Sequence, residues 1–314
     1  MGVLNSSRKV MKDFIEKSYS MGQLHGEMKK INDPRRQNLI ETVHLTKAEE
    51  NKIDTLFTAN YGKKIKYDWH RLYQSFTGKF DENYFPEYLF SSVLEPKLNP
   101  MDYRYVLDDK LLLPLFCVGV EHVRTPRTYY SVCDGICFDE EKNIVDLKSD
   151  NFNGGGVTEA IIKPVQDTSS GVGVEKIKGA ESIKNNLQEK AKKKGTYIVQ
   201  ECIAQNEQLA VLYAGAVNTF RVITYLWNGE VFHVPLALRI GQGGSYLDNA
   251  HAGGMFIGVN DLGELNDEGF TEFGKRYKEH PDTHAVFKGY KLSFVPELIK
   301  TAKKLHLNAP QLGI

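Results

Sequence analysis

The sequence lacks net charge, a long apolar run and a secretory signal. Forty Lys and Arg residues balance forty Asp and Glu residues, so no overall electrostatic field draws nucleic acid or anionic lipid to the chain. The most apolar stretch, residues 111–120, has about half of the roughly 20 residues that a membrane-spanning helix needs. No apolar segment follows Arg8 and Lys9, as it would in a signal peptide. We therefore expect a cytoplasmic protein with no transmembrane segment and no nucleic-acid partner.

Cysteine is scarce, and two common phosphate-binding motifs are missing. No cysteine has Cys-x-x-Cys spacing, and all lie in apolar, strand-like surroundings, so we expect buried thiols; they are Cys117, Cys133, Cys137 and Cys202. No Gly-x-x-x-x-Gly-Lys-Ser/Thr motif occurs. Lys176 stands where a dinucleotide fingerprint needs its third glycine after Gly171 and Gly173. These observations exclude P-loop and Rossmann proteins.

One pair of histidines has the spacing of metal ligands on a helix. His280 and His284 are four residues apart, but Pro281 disfavours a helix at this point. We therefore expect both to be surface residues, and we assign no protein ligand to a metal.

The composition is that of a globular protein, with 41% hydrophobic and 25% charged residues over a length sufficient for two or three packed units. Residues 12–99 are rich in Lys, Glu, Gln and Leu, and their apolar residues recur at helical spacing, for example at Ile40, Val43, Ile53, Leu56 and Phe57. This part is predicted to be helical, with boundaries at Asp33-Pro34 and Asn99-Pro100.

Residues 127–200 change to short β-rich runs. Two strands are predicted at 158–163 and 172–178, on either side of a loop of small and polar residues. A helix follows, with Ile183, Leu187 and Ala191 at four-residue spacing, Ser182 as its N-cap and Gly195 as its stop. A strand at 196–202 completes this region.

The third region opens with two alternating strands, at 217–227 and 230–240. Asn228-Gly229 between them is a strong hairpin signal, so the strands are predicted to pair antiparallel. If Trp227 pairs with Glu230, uninterrupted pairing places Arg221 opposite Leu236 and Arg239 opposite Asn218. The two arginines would then point to opposite faces, and a bulge or a release of pairing would be needed to bring them together.

Several motifs occur in a characteristic order. They are Asp109-Lys110, IIKP at 161–164, DTSSGVGV at 167–174, IVQECI at 198–203, VNTFRVIT at 217–224, LALRIG at 236–241 and DNAHAGG at 248–254. In this order they resemble the ATP-grasp ligases. With the aromatic-Pro segment at 84–88 ahead of them, they resemble more specifically the sugar-transfer-associated branch, over residues 68–314.

The resemblance implies an α+β ATP-grasp fold, in which two α+β subdomains clasp ATP, preceded by a helical N-terminal region. We expect the helical region at 1–100 and a lid subdomain at 127–202. The platform would consist of 101–126 and 203–314, with its C-terminal strand missing from this sequence. ATP-grasp enzymes follow the last helix with a strand that carries an Asp and then with a Glu-x-Asn motif, and these hold Mg²⁺. Because the sequence ends at Gly313-Ile314, we expect either a longer natural chain or a relative with impaired catalysis.

The resemblance also assigns residues to ATP. Lys110 and Lys163 would contact the phosphates, and the mobile lid loop would contribute Asp167, Ser169, Ser170, Gly171 and Gly173. The adenine hinge would comprise Gln200, Glu201, Cys202 and Ile203, with Glu207 reaching the ribose.

Further residues would act at the reacting groups. Arg221, Arg239 and Asn249 would face the triphosphate or an acyl-phosphate, where a fixed guanidinium offsets developing charge. His251, beside Gly253 and Gly254, suits an acceptor site. Simpler alternatives remain open, namely Lys110 as a surface charge, Arg221 in a structural ion pair, and Glu207 and His251 as ordinary loop residues.

The expected function is that of an ATP-dependent carboxylate-amine ligase that acts through an acyl-phosphate and uses ATP and Mg²⁺. The polysaccharide association of the branch implies a small-molecule or glycan substrate, with an amine or amino acid joined to a sugar carboxylate. Two alternatives stay open, a phosphotransferase acting on a hydroxyl and a non-catalytic nucleotide-binding module in glycan synthesis. The acceptor and the oligomeric state are not readable from the sequence.

Overall fold

The computed structural model describes residues 2–149, 152, 154–166 and 172–314, and the side chains of 2–9, 104 and 105 lie outside that description. The chain forms two compact units. The first comprises Met1–Met101, Phe270–Arg276 and Gln311–Ile314, and the second comprises Asp102–Gly269 and Tyr277–Pro310.

The first unit is helical, as the sequence predicts. Its helices are α1 (Gly2–Ile31), α2 (Pro34–Glu41), α3 (Lys47–Tyr61), α4 (Asp68–Thr77), α5 (Glu87–Leu89) and α6 (Glu95–Leu98), with a π-helical turn at Phe90–Leu94. The predicted boundary at Asp33-Pro34 is confirmed, because the Asp33 carboxylate caps α2 by accepting the Arg35 backbone N–H. Thr46 and Glu49 form a reciprocal capping box at the start of α3.

Apolar side chains fix the packing of these helices. One cluster joins Ile31, Ile40, Trp69 and Leu72, and a second joins Ile53, Phe57, Ile65 and Leu89. Tyr88 of the aromatic-Pro segment packs on Trp69, with ring centroids 4.8 Å apart. Three of the residues that the helical periodicity selects, Ile40, Ile53 and Phe57, are therefore core residues.

The second unit begins with two short helices and an antiparallel sheet. The helices are α7 (Met101–Leu107) and α8 (Leu113–Phe116), and the strands are β1 (Thr128–Cys133), β2 (Ile136–Asp139), β3 (Glu159–Pro164), β4 (Glu175–Lys178) and β5 (Thr196–Gln200). Among the described residues the strand order is β2-β1-β5-β3-β4. Helix α9 (Ala180–Lys190) lies where the spacing predicts a helix, and it covers the sheet with the fully buried Ile183 and Leu187.

The predicted N-cap of α9 is wrong. The helix begins at Ala180 with Gly179 at its N-cap, so Ser182 lies inside the first turn. The Gly179 N–H instead bonds the Thr158 carbonyl at 2.7 Å, which ties the start of the helix to the sheet. Among the described residues no side chain caps the first turn of α9, so the start of the helix is set by glycine and by this backbone bond.

The remainder of the second unit is built on another antiparallel sheet and a separate hairpin. Its elements are α10 (Glu207–Leu212), β6 (Thr219–Arg221), β7 (Thr224–Trp227), β8 (Glu230–His233), β9 (Leu236–Ile240), β10 (Met255–Val259), β11 (Leu265–Thr271), β12 (Arg276–Tyr277) and α11 (Val295–Leu307). Where the structure describes the chain, the sheet order is β12-β11-β10-β9-β6, and β7 pairs with β8 alone.

The predicted long hairpin is present but interrupted. Trp227 pairs with Glu230 as expected, whereas Arg221 pairs with Ala237 and Thr219 with Arg239. The Val234 N–H still bonds the Ile223 carbonyl, so Pro235 and Leu236 together stand opposite Val222. Two residues opposite one is a β-bulge, and proline suits such a position because it has no N–H for a strand ladder. The pairing is therefore not uninterrupted, and a bulge of the kind that the sequence analysis required brings Arg221 and Arg239 to the same face.

Two apolar cores lie within the second unit. One joins β1, β3 and β5 to α9, for example through Val132, Ile162 and Leu187. The other joins β9 and β10 to α10 and α11, for example through Leu238 and Ile257. The division into a lid at 127–202 and a platform at 101–126 and 203–314 remains a prediction.

The cysteine prediction is correct at one position. All four thiols are free, but Cys137 is buried whereas Cys117, Cys133 and Cys202 are partly exposed. Burial, as the largest cause, raises the pKa of Cys137 to about 12, so this thiol is inert near neutral pH.

No helix among the described residues has both the length and the apolar character required to cross a bilayer.

Gly263 provides a test of the packing in the second core. Its φ is +86°, and a Cβ placed on it would lie 2.0 Å from the Leu292 carbonyl oxygen. Gly289 has a similar φ of +77° but open space around it. We expect Gly289→Ala to lower the free energy of unfolding by about 1 to 2 kcal/mol through backbone strain alone. Gly263→Ala should lower it by about 3 kcal/mol or more, because the carbonyl must move as well. Urea denaturation measures both, and equal losses would contradict this packing.

Candidate functional site

Two lysines that are far apart in sequence lie close together in the second unit. Lys163 stands near the end of β3, opposite Ile198 of β5. Lys110 follows α7, and its Nζ donates to the Val165 carbonyl at 2.8 Å. Val165 is buried and its N–H bonds the Thr196 carbonyl at 3.0 Å. Lys110 is thus anchored to the sheet two residues beyond Lys163.

The electrostatics of this pair favour an anion. Lys163 is half-buried, and burial followed by the neighbouring charge of Lys110 lowers its pKa. Across the described part of the chain, the side chain of Lys163 makes no hydrogen bond and no ion pair. Among the described residues no carboxylate pairs with Lys163, so the positive charge of the two ammonium groups suits a phosphate group.

The predicted lid loop is only partly within the structure. Asp167, Ser169, Ser170 and Gly171 lie outside the described residues. Gly173 is described, with φ at +73°, and a Cβ placed on it would lie 3.1 Å from the Pro164 ring. Glycine at 173 therefore lets the returning chain pass closely beside the residue that follows Lys163.

Two side chains of the predicted hinge, those of Gln200 and Glu201, interact with residues at the start of β1 and just before it. The Gln200 side chain is buried and donates to Thr128 Oγ1 at 2.9 Å. The Glu201 carboxylate pairs with Arg124, and the Glu201 N–H bonds the Arg127 carbonyl at 2.9 Å. These side chains are engaged within the protein, so the predicted contact with adenine would rest on main-chain groups beyond β5.

The remaining hinge and ribose candidates lie beyond the end of β5. Cys202 is partly exposed, and burial raises the pKa of its thiol. Ile203 is 47% exposed and presents an apolar surface. Glu207 is exposed in the first turn of α10.

The bulge opposite Val222 brings two arginines to one face of the second sheet. Arg239 pairs with Thr219, and Arg221 is two residues from Thr219 on the same strand. Arg239 Nη2 lies 3.0 Å from Asp248 Oδ1 and 3.0 Å from Thr219 Oγ1. The Thr219 hydroxyl in turn donates to the Asp248 carboxylate. Asp248 and Thr219 therefore fix the Arg239 guanidinium.

Arg221 lies within the field of this cluster. Burial of its guanidinium and then the charge of Arg239 lower the pKa of Arg221, while Asp248 acts in the opposite direction. Asp248 therefore lies near two guanidiniums, those of Arg239 and Arg221. Sequence reasoning missed Asp248 as a site residue, although it adjoins Asn249, because nothing local indicates that it pairs with β9.

Asn249 and His251 lie on the turn that follows Asp248. Asn249 Oδ1 accepts the His251 backbone N–H at 2.9 Å and caps a 3₁₀ turn at Ala250–Ala252. The His251 side chain is exposed. The side-chain oxygen of Asn249 thus caps the turn. Its side-chain NH₂ is the group that would donate to an anion.

The structure corrects the interpretation of His280. This residue is fully buried, stacks on Tyr213 with ring centroids 5.2 Å apart, and has Nε2 2.8 Å from the Gly241 carbonyl. Its Nδ1 accepts the Asp282 N–H, so Nε2 carries the proton. His280 is therefore a structural residue beneath the glycine-rich segment, whereas His284 is exposed as expected.

The described residues contain no ready-made cluster of metal-binding side chains. Among them, no three His, Cys, Asp or Glu side chains come together in an arrangement that would hold a metal ion. The residues present fit the phosphates of ATP better than they fit its metal, and Mg²⁺ has no assigned ligand here.

The first unit contains an open cavity of about 790 Å³. Its lining includes His25, Lys29 and Arg36, and Arg36 already pairs with Glu272 at 3.2 Å. The cavity is lined by none of the residues that the sequence assigns to ATP.

Comparison with known proteins decides the family. The model of the family described as sugar-transfer associated ATP-grasp matches residues 89–314, well over half of the chain. The chain belongs to this family. The predicted resemblance and the predicted ATP-grasp fold class are thereby confirmed. A search of curated proteins finds no match.

Membership of the sugar-transfer associated ATP-grasp family carries a coarse functional statement. The ATP-grasp fold implies ATP binding, and the association with sugar transfer supports an ATP-dependent activity in glycan biosynthesis. The roles of individual residues are not decided by this membership and remain predictions.

Asp248 is the residue through which the arginine cluster can be tested. Asp248→Ala leaves Arg239 without its carboxylate, and we expect the free energy of unfolding to fall by about 3 kcal/mol. Asp248→Asn should cost less, about 1 kcal/mol, because the amide oxygen still accepts from Arg239 and Thr219. Chemical denaturation of the two variants measures the difference. Identical losses would show that hydrogen bonding at Asp248 contributes little.

Proposed function

We propose that the second unit binds ATP and uses it to activate a sugar carboxylate for attack by an amine. The observation that carries this proposal is the half-buried ammonium of Lys163, which lies beside Lys110. Among the described residues, no carboxylate pairs with Lys163. Such an arrangement is unfavourable unless a ligand supplies negative charge. Triphosphate is the ligand that the family membership supplies.

Each lysine has a separate part in holding the phosphates. Lys110 is fixed by its bond to Val165, so one ammonium hydrogen is used and the others remain for an oxygen of ATP. Lys163 is free to bond phosphate directly. The loop at 167–173 would close over them, with Gly173 permitting its approach to Pro164.

The arginine cluster suits the group on which charge develops. When a carboxylate oxygen attacks the γ-phosphorus of ATP, the bond to the β,γ-bridging oxygen breaks and ADP leaves. Arg221 and Arg239 would offset the charge on the transferred phosphoryl group and on the new acyl-phosphate. Asp248 and Thr219 hold Arg239 in place before the reaction, so little reorganisation is needed. Asn249 and His251 would lie at the acceptor. An amine would then attack the acyl carbon and release phosphate.

The phosphate role of Lys163 is tested with a matched lysine of the same hairpin. Lys163→Met should weaken ATP binding at least tenfold in isothermal calorimetry, which corresponds to about 1.4 kcal/mol. It should not lower the melting temperature, since the change removes a half-buried charge without a partner. Lys176→Met is the control, because Lys176 is more exposed and pairs with Glu159 at 3.1 Å. A loss of stability in Lys163→Met with unchanged ATP affinity would show that the lysine is structural.

The reaction class is tested by the products formed with ATP. We expect phosphate release that requires both a uronic acid and an amine, measured across a panel of each. ADP formation with a hydroxyl acceptor and no phosphate release would establish the phosphotransferase alternative. ATP binding without turnover on any acceptor would establish the nucleotide-binding module.

A further inference from the structure

The hairpin of β7 and β8 has two unlike faces. Thr224 and Leu226 alternate with Tyr225 and Trp227 along β7, so the two pairs point in opposite directions. Thr224 Oγ1 lies 2.8 Å from His306 Nδ1 of α11, and α11 packs on both strands. The face of Thr224 is therefore covered by α11, and the face of Tyr225 is turned away from it.

The uncovered face is aromatic. Tyr225 pairs with Phe232 across the strands, and their rings stack with centroids 5.5 Å apart. Trp227 is 64% exposed, and Ile223 on the same side is 45% exposed. We call Ile223, Tyr225, Trp227 and Phe232 the aromatic track. A contiguous exposed apolar patch is typical of a binding site.

The aromatic track continues to the arginine cluster on the same face. Phe220 and Val222 pack against the core that joins β9 and β10 to α10 and α11. The ring centroids of Phe220 and Phe294 lie 5.8 Å apart. The even-numbered residues from 220 to 226 therefore face the core and α11, and Thr219, Arg221, Ile223, Tyr225 and Trp227 share the other side. The bulge lies in the partner strand, so it leaves this alternation unchanged. Trp227 lies six residue steps along the chain from Arg221, a distance of about 20 Å in extended backbone.

The chemistry of the track fits a sugar chain. The C–H bonds on the face of a sugar ring carry partial positive charge, and the face of an aromatic ring is negative, so the two stack. Trp227 and the Tyr225–Phe232 pair offer flat surfaces in line. Glu230, opposite Trp227 on the same face, supplies an acceptor for sugar hydroxyls. Arg221 at the far end suits a carboxylate.

We infer that the aromatic track binds the glycan substrate, with sugar rings on Trp227 and Tyr225–Phe232 and a uronic carboxylate directed toward Arg221. This inference rests on the proposed function for the identity of the reacting group. The track itself binds sugar without ATP and without turnover. A glycan several sugars long is then the substrate class, in preference to a single uronic acid.

The two tryptophans of the chain make the test direct. Trp69 is fully buried in the first unit, so an added ligand that changes tryptophan emission reports on Trp227. Titration with a hexamer of β-1,4-linked glucuronic acid should give a saturable change in emission. By calorimetry, Trp227→Ala should bind this hexamer about tenfold more weakly and bind ATP as the wild type does. Phe14→Ala, which removes an exposed aromatic residue of the first unit, is the control and should bind both normally.

Two further variants separate this inference from the proposed function. Arg221→Gln should weaken binding of the glucuronic hexamer, and Lys163→Met should lose ATP affinity while retaining the hexamer. Hexamer binding that is absent, or is unchanged in Trp227→Ala, would overturn the inference even if ATP turnover with a single uronic acid were found. Equal binding of a single-stranded oligonucleotide, or dimerisation that Trp227→Ala abolishes in the absence of hexamer binding, would overturn it as well. Retained hexamer binding without any ATP-dependent product would instead reject the proposed function alone.

Discussion

The positive charge at Lys163 is the feature on which the proposed site depends. A half-buried ammonium beside a second lysine is unfavourable for folding, as the lowered pKa of Lys163 reflects. Hydrogen bonds to the backbone, and not ion pairs, hold this arrangement. Lys110 donates to the carbonyl of buried Val165, and the Val165 N–H donates to the Thr196 carbonyl. In the described part of the chain, backbone hydrogen bonds therefore hold two cations close together, and in the proposed site a phosphate would neutralise them.

The arginine cluster differs from the lysine pair because it contains a carboxylate. The guanidinium of Arg239 is held by Asp248 and Thr219, and Arg221 lies within the field of both Arg239 and Asp248. One cluster thus offers a free ammonium and the other a guanidinium set in place in advance. The difference fits the two tasks that an ATP-dependent ligation requires, namely binding charge that is already present and stabilising charge that develops.

A single extra residue in one strand organises the face on which the arginines lie. Because Pro235 and Leu236 stand opposite Val222, Arg239 shifts by one position and joins Arg221. The same bulge separates the five-stranded sheet from the hairpin that carries Tyr225, Trp227 and Phe232. The bulge, which a proline accommodates, therefore connects the arrangement of charge with the display of the aromatic track.

Local patterns were sufficient for the helical first unit, for the strands around the lid loop and for the Asn228-Gly229 hairpin, because periodicity and turn chemistry act over a few residues. The motif order was sufficient for the family. Only the folded chain decided that Asp248 orients Arg239, that His280 is buried beneath Gly241, and that Gly179 rather than Ser182 caps α9. These contacts depend on register and on hydrogen bonds between distant segments. A shift of one residue reverses which side chains meet, and no local pattern encodes it.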